Sequence, residues 1–559
     1  MLTNTALVIT SVDDISLVDK YPGAKHIALD RSIMQLCKEC NLKHILHYCD
    51  FKSDFYDTDI ACIIANKWYR GEDGIDLSID EFSMGLTLEY RLSESIASAI
   101  RYYCAFKGIL DIYSEVIIPN NIPKLLKDVL STFGDRIKFI HSNNDIYEVF
   151  NFPIYRNSIS RVKIHWLSPI AHFLQKFYFK SLTNRVLFFS DWTYKYQKNN
   201  SFLFMNLFNI TKSYYLTKPP KSSIVLTDDI VLNKDIEANV KNTLKRFSKK
   251  YDKSLSKLIF RIIKDEYYLL KSDAIYMYSM YKDLLGEYKP KAVVIYNTTY
   301  PWHVIVMQIA NTMQIPVAVA QDGFPVYANK YNFSNDRSGL HPLVKNYFVM
   351  GCIGRKLMSG SNFTSINKVQ IKPPLLDYCT NTKNNGQKNN TALILFDDPP
   401  ISNLLTEWDY RYQHIVNIIK CLADIGISDV TIKIKEGADE IDILTLQKVL
   451  HNYSDIAVIG GKLSEHIHLF SLVVGSLGSA IAEVIYTDTP YYIFEPYYNG
   501  ITDKTLYESS ILSLGKGGAS RDINELKKNI LTRNSFLIDK EELADGANMS
   551  DINFDNLVY

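Results

Sequence analysis

The chain has little cysteine, no long apolar run and no excess of either charge. Eight Cys among 559 residues, most of them isolated, exclude a disulfide framework and point to a reducing cytosol as the natural compartment. No stretch approaches the roughly 18 consecutive apolar residues of a membrane-crossing helix. The 62 Lys+Arg and 61 Asp+Glu leave a formal charge of +1, which argues against a nucleic-acid binder working through a global positive field and against an acidic disordered chain. A Walker loop and a Gly-rich dinucleotide fingerprint are both missing. The first residues, Met1 to Thr10, lack a basic region and run into Asp13-Asp14, so they read as a first strand and not as a signal peptide.

What is present is aromatic. Tyr (38) and Phe (27) bring the aromatic share to 13%, and a tyrosine offers both a flat apolar face for a sugar or base and a hydroxyl, while also filling cores. At about 150 residues per domain the length predicts three or four units, or two large ones. The stretch 156–182 mixes Arg156, Arg161, Lys163, Lys176 and Lys180 with Trp166, Phe173, Phe177 and Phe179. It reads as an amphipathic helix packed on its own domain, with peripheral contact with the inner face of the cytoplasmic membrane as the alternative.

Short apolar runs alternate with longer helical patterns, the signature of βαβ units and mostly parallel sheets. In the first 150 residues strands are expected at Ala6–Thr10, His26–Asp30, His44–Asp50, Val116–Pro119 and Ile137–His141, with a long helix from about Met84 to Lys107. Residues 151–290 read as a helical elaboration with one strand, Val186–Ser190, and helices from Asn233 to Tyr288. Strands at Ala292–Asn297, Val317–Gln321, Tyr347–Met350 and Val369–Lys372 are expected to complete the first sheet, closing a unit over 1–375. A polar run over 376–390 reads as a linker. A second series then occupies 391–510, with strands Thr391–Phe396, Val430–Lys435, Ile456–Ile459, Leu472–Gly475 and Tyr491–Phe494, followed by a partly helical tail over 511–559. The fold class is therefore α/β, two Rossmann-like domains facing across a cleft, with ligands at the carboxyl ends of strands.

The most informative segment is Gly475-Ser476-Leu477-Gly478-Ser479-Ala480, followed by Glu483 and Pro490. A buried strand ends in small residues and enters a helix, where N–H groups and the dipole favour an anion; the plain alternative is a βα turn capped by Ser479. Strand, Gly-Ser-x-x-Ser-Ala-x-x-Glu, helix, then Pro and another strand resembles the nucleotide-sugar site of two-domain GT-B glycosyltransferases. Eight positions before Glu483 stands Gly475, so the glutamate pair usual in UDP-sugar retaining members is absent. That departure makes the chain more similar to bacterial surface-polysaccharide transferases with CMP-activated acidic sugars, Kdo-like or sialic-acid-like. In those similar enzymes a Lys-x-His-Pro loop lines the nucleotide; here Lys433-Ile434-Lys435 runs into Glu436-Gly437. The lysines could meet a phosphate or carboxylate, or form a solvated edge.

The opposite wall is expected from Val317–Gln321 and the Asp322-Gly323 that follows. Glycosyl transfer needs a carboxylate as general base or as nucleophile, although Asp-Gly is also a common turn pair. The resemblance to retaining β-Kdo transferases implies the nucleophile's role for Asp322, with Glu89 as the candidate second carboxylate. Asn297, Thr298, Arg337, His341 and Asp397 are candidate acceptor or cleft-lining residues. Two rival motifs carry less. Cys37-x-x-Cys40 with His44, His47 and Cys49 scatters over a helix and two strand faces, so no metal is assigned. Asp57-Thr58-Asp59 precedes a helical run and reads as its N-terminal cluster.

These features predict a metal-independent, cofactor-free glycosyltransferase that passes a sugar from a nucleotide donor, CMP-linked by preference, to an oligosaccharide or lipid-linked surface glycan such as capsule, O-antigen or lipopolysaccharide. The alternatives are a UDP-sugar-dependent transferase, a nucleotide-sugar epimerase of the same two-domain fold, and a non-catalytic assembly scaffold.

Overall fold

The computed structural model describes residues 4–10, 12–29, 42–49, 56–69, 82–141, 186–189, 234–247, 252–295, 301–320, 343–358, 366–374, 376–379, 390–396, 408–435, 446–447, 450–451, 453, 455–495, 510–548 and 551–558. Sixteen strands in these residues form three sheets whose ladders are all parallel.

The first sheet has the order β3-β2-β1-β4-β5, from β1 (Thr5–Ile9), β2 (Lys25–Ala28), β3 (Lys43–His44), β4 (Glu115–Pro119) and β5 (Ile137–Ile140). The second has the order β10-β9-β8-β7-β6, from β6 (Val186–Phe189), β7 (Ala292–Ile295), β8 (Val317–Ala320), β9 (Asn346–Met350) and β10 (Asn367–Ile371). The third runs β13-β12-β11-β14-β15-β16, from β11 (Thr391–Phe396), β12 (Asp429–Ile434), β13 (Ala457–Ile459), β14 (Leu472–Gly475), β15 (Tyr491–Phe494) and β16 (Ala519–Ser520). The expectation that Ala292–Lys372 completes the first sheet is corrected: those strands pair with β6 and with one another, not with β1–β5. His44–Asp50 is also corrected, since only Lys43–His44 pairs and Ile45–Tyr48 winds into a 3₁₀ turn. The second and third sheets are successive parallel-sheet units, and the first, expected to form one sheet with the second, is a separate sheet that packs against the second through a shared helical layer.

The stacking follows from residue parity, because successive side chains in a strand point to opposite faces. Val293, Ile295, Val317, Val319, Tyr347 and Val349 of the second sheet face a layer that also buries Ala6, Val8 and Val116 of the first. The helices in that layer are α2 (Tyr56–Lys67), α3 (Met84–Ile112), α4 (Lys124–Ser131), α5 (Lys234–Phe247), α6 (Lys253–Tyr288) and α7 (Pro301–Thr312), while a short α1 (Leu17–Lys20) lies on the first sheet's other face. The intervening residues, Ala292, Val294, Ala318, Ala320, Phe348 and Met350, face the opposite way and share one core with Leu393, Leu395, Val473, Tyr491 and Ile493 of the third sheet. Between them lie α8 (Gly351–Leu357), α9 (Leu376–Cys379) and α11 (Ile481–Tyr486). The far face of the third sheet is covered by α10 (Trp408–Asp424) and α12 (Ile523–Leu531). Such doubly covered parallel strands need near-continuous apolar runs, as in TALILF and LVVG.

Local signals set the helix ends. Ser83 accepts from Leu86 N at 3.1 Å and Asp252 from Ser254 N at 2.8 Å, opening α3 and α6, while Asp522 accepts from both Asn524 and Glu525 N to open α12.

After α12 the chain passes α13 (Lys540–Ala544) and returns to the second sheet. Ala547 bridges to Ile371, and the buried Asn346 uses its amide as a strand would, donating to Val558 O and accepting from Val558 N, both at 2.8 Å. Phe554 stands edge-on to Phe348 at 6.0 Å, and Lys291 pairs with Asp555 at 2.7 Å. The C-terminal segment therefore straps the third sheet to the second. Among the described residues no helix is long and apolar enough to cross a membrane.

Candidate functional site at the carboxyl edge of the third sheet

β14 is a fully buried apolar strand whose last residue, Gly475, pairs with Ile493 and stands against the Leu395 side chain. A Cβ on Gly475 would come 2.6 Å from the Tyr491 hydroxyl and 3.1 Å from Leu395 Cβ. Glycine here makes room for a tyrosine ring, and that hydroxyl donates to Ser476 O at 2.5 Å. The small residue read from sequence as clearance for a ligand is thus also required by packing.

The loop then turns through Ser476, buried Leu477, half-buried Gly478 and exposed Ser479 into α11, where Ile481 N bonds Gly478 O and Ala482 N bonds Ser479 O. The N-cap of α11 is Ala480, which has no polar side chain to cap it, and not Ser479. The Leu477 N–H donates to the carboxylate of Glu495, the residue just past β15. Glu495 is held by its own backbone as well: its N–H donates to Ser520 O at 2.9 Å, and its carbonyl accepts from Arg521 Nη1 at 2.6 Å. Arg521 is buried, and its N–H is received by Glu525 at 2.6 Å in the first turn of α12. A carboxylate therefore already occupies one of the amides that the sequence offers to a phosphate.

On the other side of the edge, β12 pairs Lys433 with Leu395 and with Ile459, which places the lysine on the face toward the second sheet. Lys433 is only 6% exposed, and its Nζ reaches forward to Ile434 O at 2.5 Å. Lys435, two residues on, is exposed. Two lysines thus stand at β12, whereas the carboxylate past β15 has the buried Arg521 beside it.

Glu483, in the first turn of α11, is half-buried and stands close enough to the Cys379 thiol of α9 for its charge to act there. Burial first, and this carboxylate second, push Cys379 up to about 12. α11, which carries Glu483, thus packs beside α9 in the segment joining the second sheet to the third.

Glu89 is separated from this constellation. It is buried in α3, in the layer between the first and second sheets, on the face of the second sheet opposite the third. Its helix starts against α7: Ser83 N donates to Gln308 Oε1 at 2.6 Å, and Gln308 Nε2 donates back to Ser83 O and Thr87 Oγ1. Asp322, Asn297, Thr298, Arg337, His341, Asp397, Glu436 and Gly437 lie outside the described residues, as do Cys37, Cys40 and the 156–182 stretch. The Asp57–Asp59 cluster falls in the first turn of α2. Among the described residues no group of three or more His, Cys, Asp or Glu is arranged to hold a metal. Sequence reading missed Tyr491, Glu495 and Arg521, because single polar residues in or after strands form no motif.

Neither a protein-family model nor a curated protein sequence matches the chain. Solved structures resemble it weakly. The UDP-GlcNAc 2-epimerase of Neisseria meningitidis bound to UDP-GlcNAc is 10% identical, with 66% of this chain and 95% of that one covered and a TM-score of 0.35. The UDP-GlcNAc 2-epimerase of Methanocaldococcus jannaschii is 13% identical over 48% of this chain and 79% of its own, with a TM-score of 0.34. MurG of Acinetobacter baumannii is 10% identical over 46% and 68%, with a TM-score of 0.29. Likeness at this level does not carry function, which must be argued from the site.

Proposed function

We propose that the chain is a nucleotide-sugar-dependent glycosyltransferase of bacterial surface-glycan assembly. The observation that carries this reading is the carboxyl edge of the third sheet, where β14 ends in a Gly-Ser-x-x-Ser turn fixed by Tyr491 and Glu495, while Lys433 lies near the end of β12 and Lys435 just past it. Open parallel sheets bind ligands at that edge. Two Rossmann-like units in succession, strapped by a returning C-terminal segment, suit a donor held by one unit and an acceptor by the other.

In this reading the third sheet holds the nucleotide through Ser476, Ser479 and residues 435–437, and the lysines carry the leaving phosphate. Asp322, following β8, is the reacting carboxylate. If the enzyme retains configuration, its carboxylate oxygen bonds the anomeric carbon as the nucleotide leaves, and the acceptor hydroxyl then displaces it. If it inverts, Asp322 takes the acceptor proton as the acceptor oxygen attacks. The missing glutamate partner of Glu483 favours a CMP-linked acidic sugar over a UDP-sugar.

A thermal-shift panel of CMP, UDP, GDP and TDP tests the donor. A CMP response alone supports the reading, a UDP response alone moves the donor class, and no response to any nucleotide sinks the reading. Donor consumption that depends on an added acceptor glycan separates a transferase from an epimerase. Capture of an Asp322–sugar adduct by intact mass selects the retaining route.

A further inference from the structure

We propose that the first half of α6 is a docking surface for an anionic membrane, with Lys253, Lys257, Arg261 and Lys264 meeting lipid headgroups and Tyr268 and Leu269 entering the interface beside them. It stands apart from the nucleotide-sugar reading and holds whether or not a nucleotide binds. From 253 to 269 no acidic residue is exposed: apart from Ser254, the exposed positions are those six. Spacings of three and four residues set the cations and Tyr268 in one stripe along the helix, roughly 22 Å long. The two acids of the segment are half-buried and engaged elsewhere, Asp265 with Lys124 of α4 at 2.7 Å and Glu266 with Arg91 of α3. Asp252, just before the stripe, is taken by Lys107 of α3 at 3.1 Å. The Lys124 pair, with Asp128 standing 4.0 Å from Arg261, lays α4 alongside the stripe, and α4 adds the exposed Lys127. Among the described residues Lys253, Lys257, Lys264 and Lys127 have no ion-pair partner.

A merely solvated face mixes both signs, as the near-balance of 62 Lys+Arg against 61 Asp+Glu in the whole chain allows. This one instead works against its own helix. Lys253, Lys257 and Arg261 follow one another at four-residue spacing, where like charges repel. The first turn of α6 holds no acid and begins with Lys253, so cations gather at the end of the helix that is already positive. Both arrangements disfavour the isolated chain, and an anionic surface relieves both. The apolar part selects the kind of anion. Tyr268 and Leu269 are each 43% exposed and follow directly on the cations. A soluble polyanion uses the cations alone, whereas a bilayer interface takes basic side chains at its headgroups and buries a tyrosine ring and a leucine below them.

Flotation of the full chain tests the proposal, with vesicles of phosphatidylcholine alone and of phosphatidylcholine carrying about 30% phosphatidylglycerol. Wild type should bind the anionic vesicles at least about tenfold more tightly than the neutral ones and release them as salt is raised. The triple change Lys253→Gln, Lys257→Gln, Lys264→Gln should weaken that binding by about a hundredfold, and the same three positions changed to Arg should keep it. Tyr268→Ser with Leu269→Ser should weaken it by about tenfold and leave its salt dependence in place. Because the glutamine triple removes repulsion, its denaturation midpoint should be no lower than that of wild type. A lower midpoint assigns the lysines to the fold and overturns the proposal. Wild type that ignores anionic vesicles overturns it without any variant. Binding that the glutamine triple leaves unchanged overturns it by placing the contact on another surface. Binding indifferent to Tyr268→Ser with Leu269→Ser, or capture of heparin without capture of vesicles, overturns it in favour of a soluble polyanion. The thermal response to nucleotide is read separately, so each of these failures leaves the donor reading standing.

Discussion

The second and third sheets have the same parallel ladder and share one core, yet they treat polar groups differently. Strands β7 and β8 are AVVI and VAVA, buried throughout and apolar on both faces, and the buried Asn346 of β9 uses its amide to hold the returning C-terminal segment. The third sheet admits a buried lysine into β12, a tyrosine hydroxyl beside Gly475 and a carboxylate at the end of β15. Each buried polar group costs free energy unless it is bonded, and these are bonded within the sheet's own edge: Lys433 to Ile434 O, Tyr491 to Ser476 O and Glu495 to the Leu477 N–H. The second sheet works as a partition between two helical layers. In the proposed function the third carries the groups that meet the ligand.

The largest effect belongs to the residue past the end of β8. Asp322→Ala should lower glycosyl transfer by about a thousandfold while leaving the thermal response to nucleotide intact, because general-base or nucleophilic work and donor recognition would reside on different sheets. Undiminished turnover, measured by donor consumption with acceptor present, would break the division between the sheets. Next comes the core that joins them. Phe536 is 1% exposed and fills space against Gly515, in the cluster shared by both sheets. Phe536→Ala should cost about 3–5 kcal/mol by denaturant melt. A third test separates packing from recognition. Gly475→Ala should destabilise by about 1–3 kcal/mol through its clash with the Tyr491 hydroxyl, and Tyr491→Phe in the same chain should recover part of that loss. If the second change recovers nothing, Gly475 is glycine for another reason.

Much of the fold is legible in the sequence because buried parallel strands are short apolar runs with sharp ends. Thr391–Phe396, Leu472–Gly475 and Tyr491–Phe494 occur where the runs predict them. His44–Asp50 fails because apolar alternation over so few residues does not distinguish a strand from a 3₁₀ turn. The separate second sheet is not legible, since a run such as AVVI specifies burial on both faces and not which strand it pairs with. β16, two residues long, gives no pattern at all. At the site, the turn after β14 is visible through its small residues. Glu495 is not, because its importance lies in a bond to Leu477, 18 positions away.

The smallest expected effect lies at the joint between the two sheets and is read from pH. Cys379 is buried in α9, and burial, reinforced by the Glu483 charge, raises its thiol from an ordinary 9.0 to about 12. A raised native value means that the folded chain holds the proton after the unfolded chain has lost it. The stability tied to the neutral thiol is therefore complete below pH 9 and declines as the pH climbs from 9 toward 12. Cys379→Ala should lose some stability at neutral pH through the vacated volume, yet its denaturation midpoint should fall less steeply than wild type between pH 9 and 11. Glu483→Gln should begin the wild-type decline at the same pH and make it slightly shallower, because Glu483 is the lesser cause of the shift. If both variants track wild type across that range, Cys379 is not held neutral by the joint, and the close packing of the second sheet against the third at α9 would have to be revised.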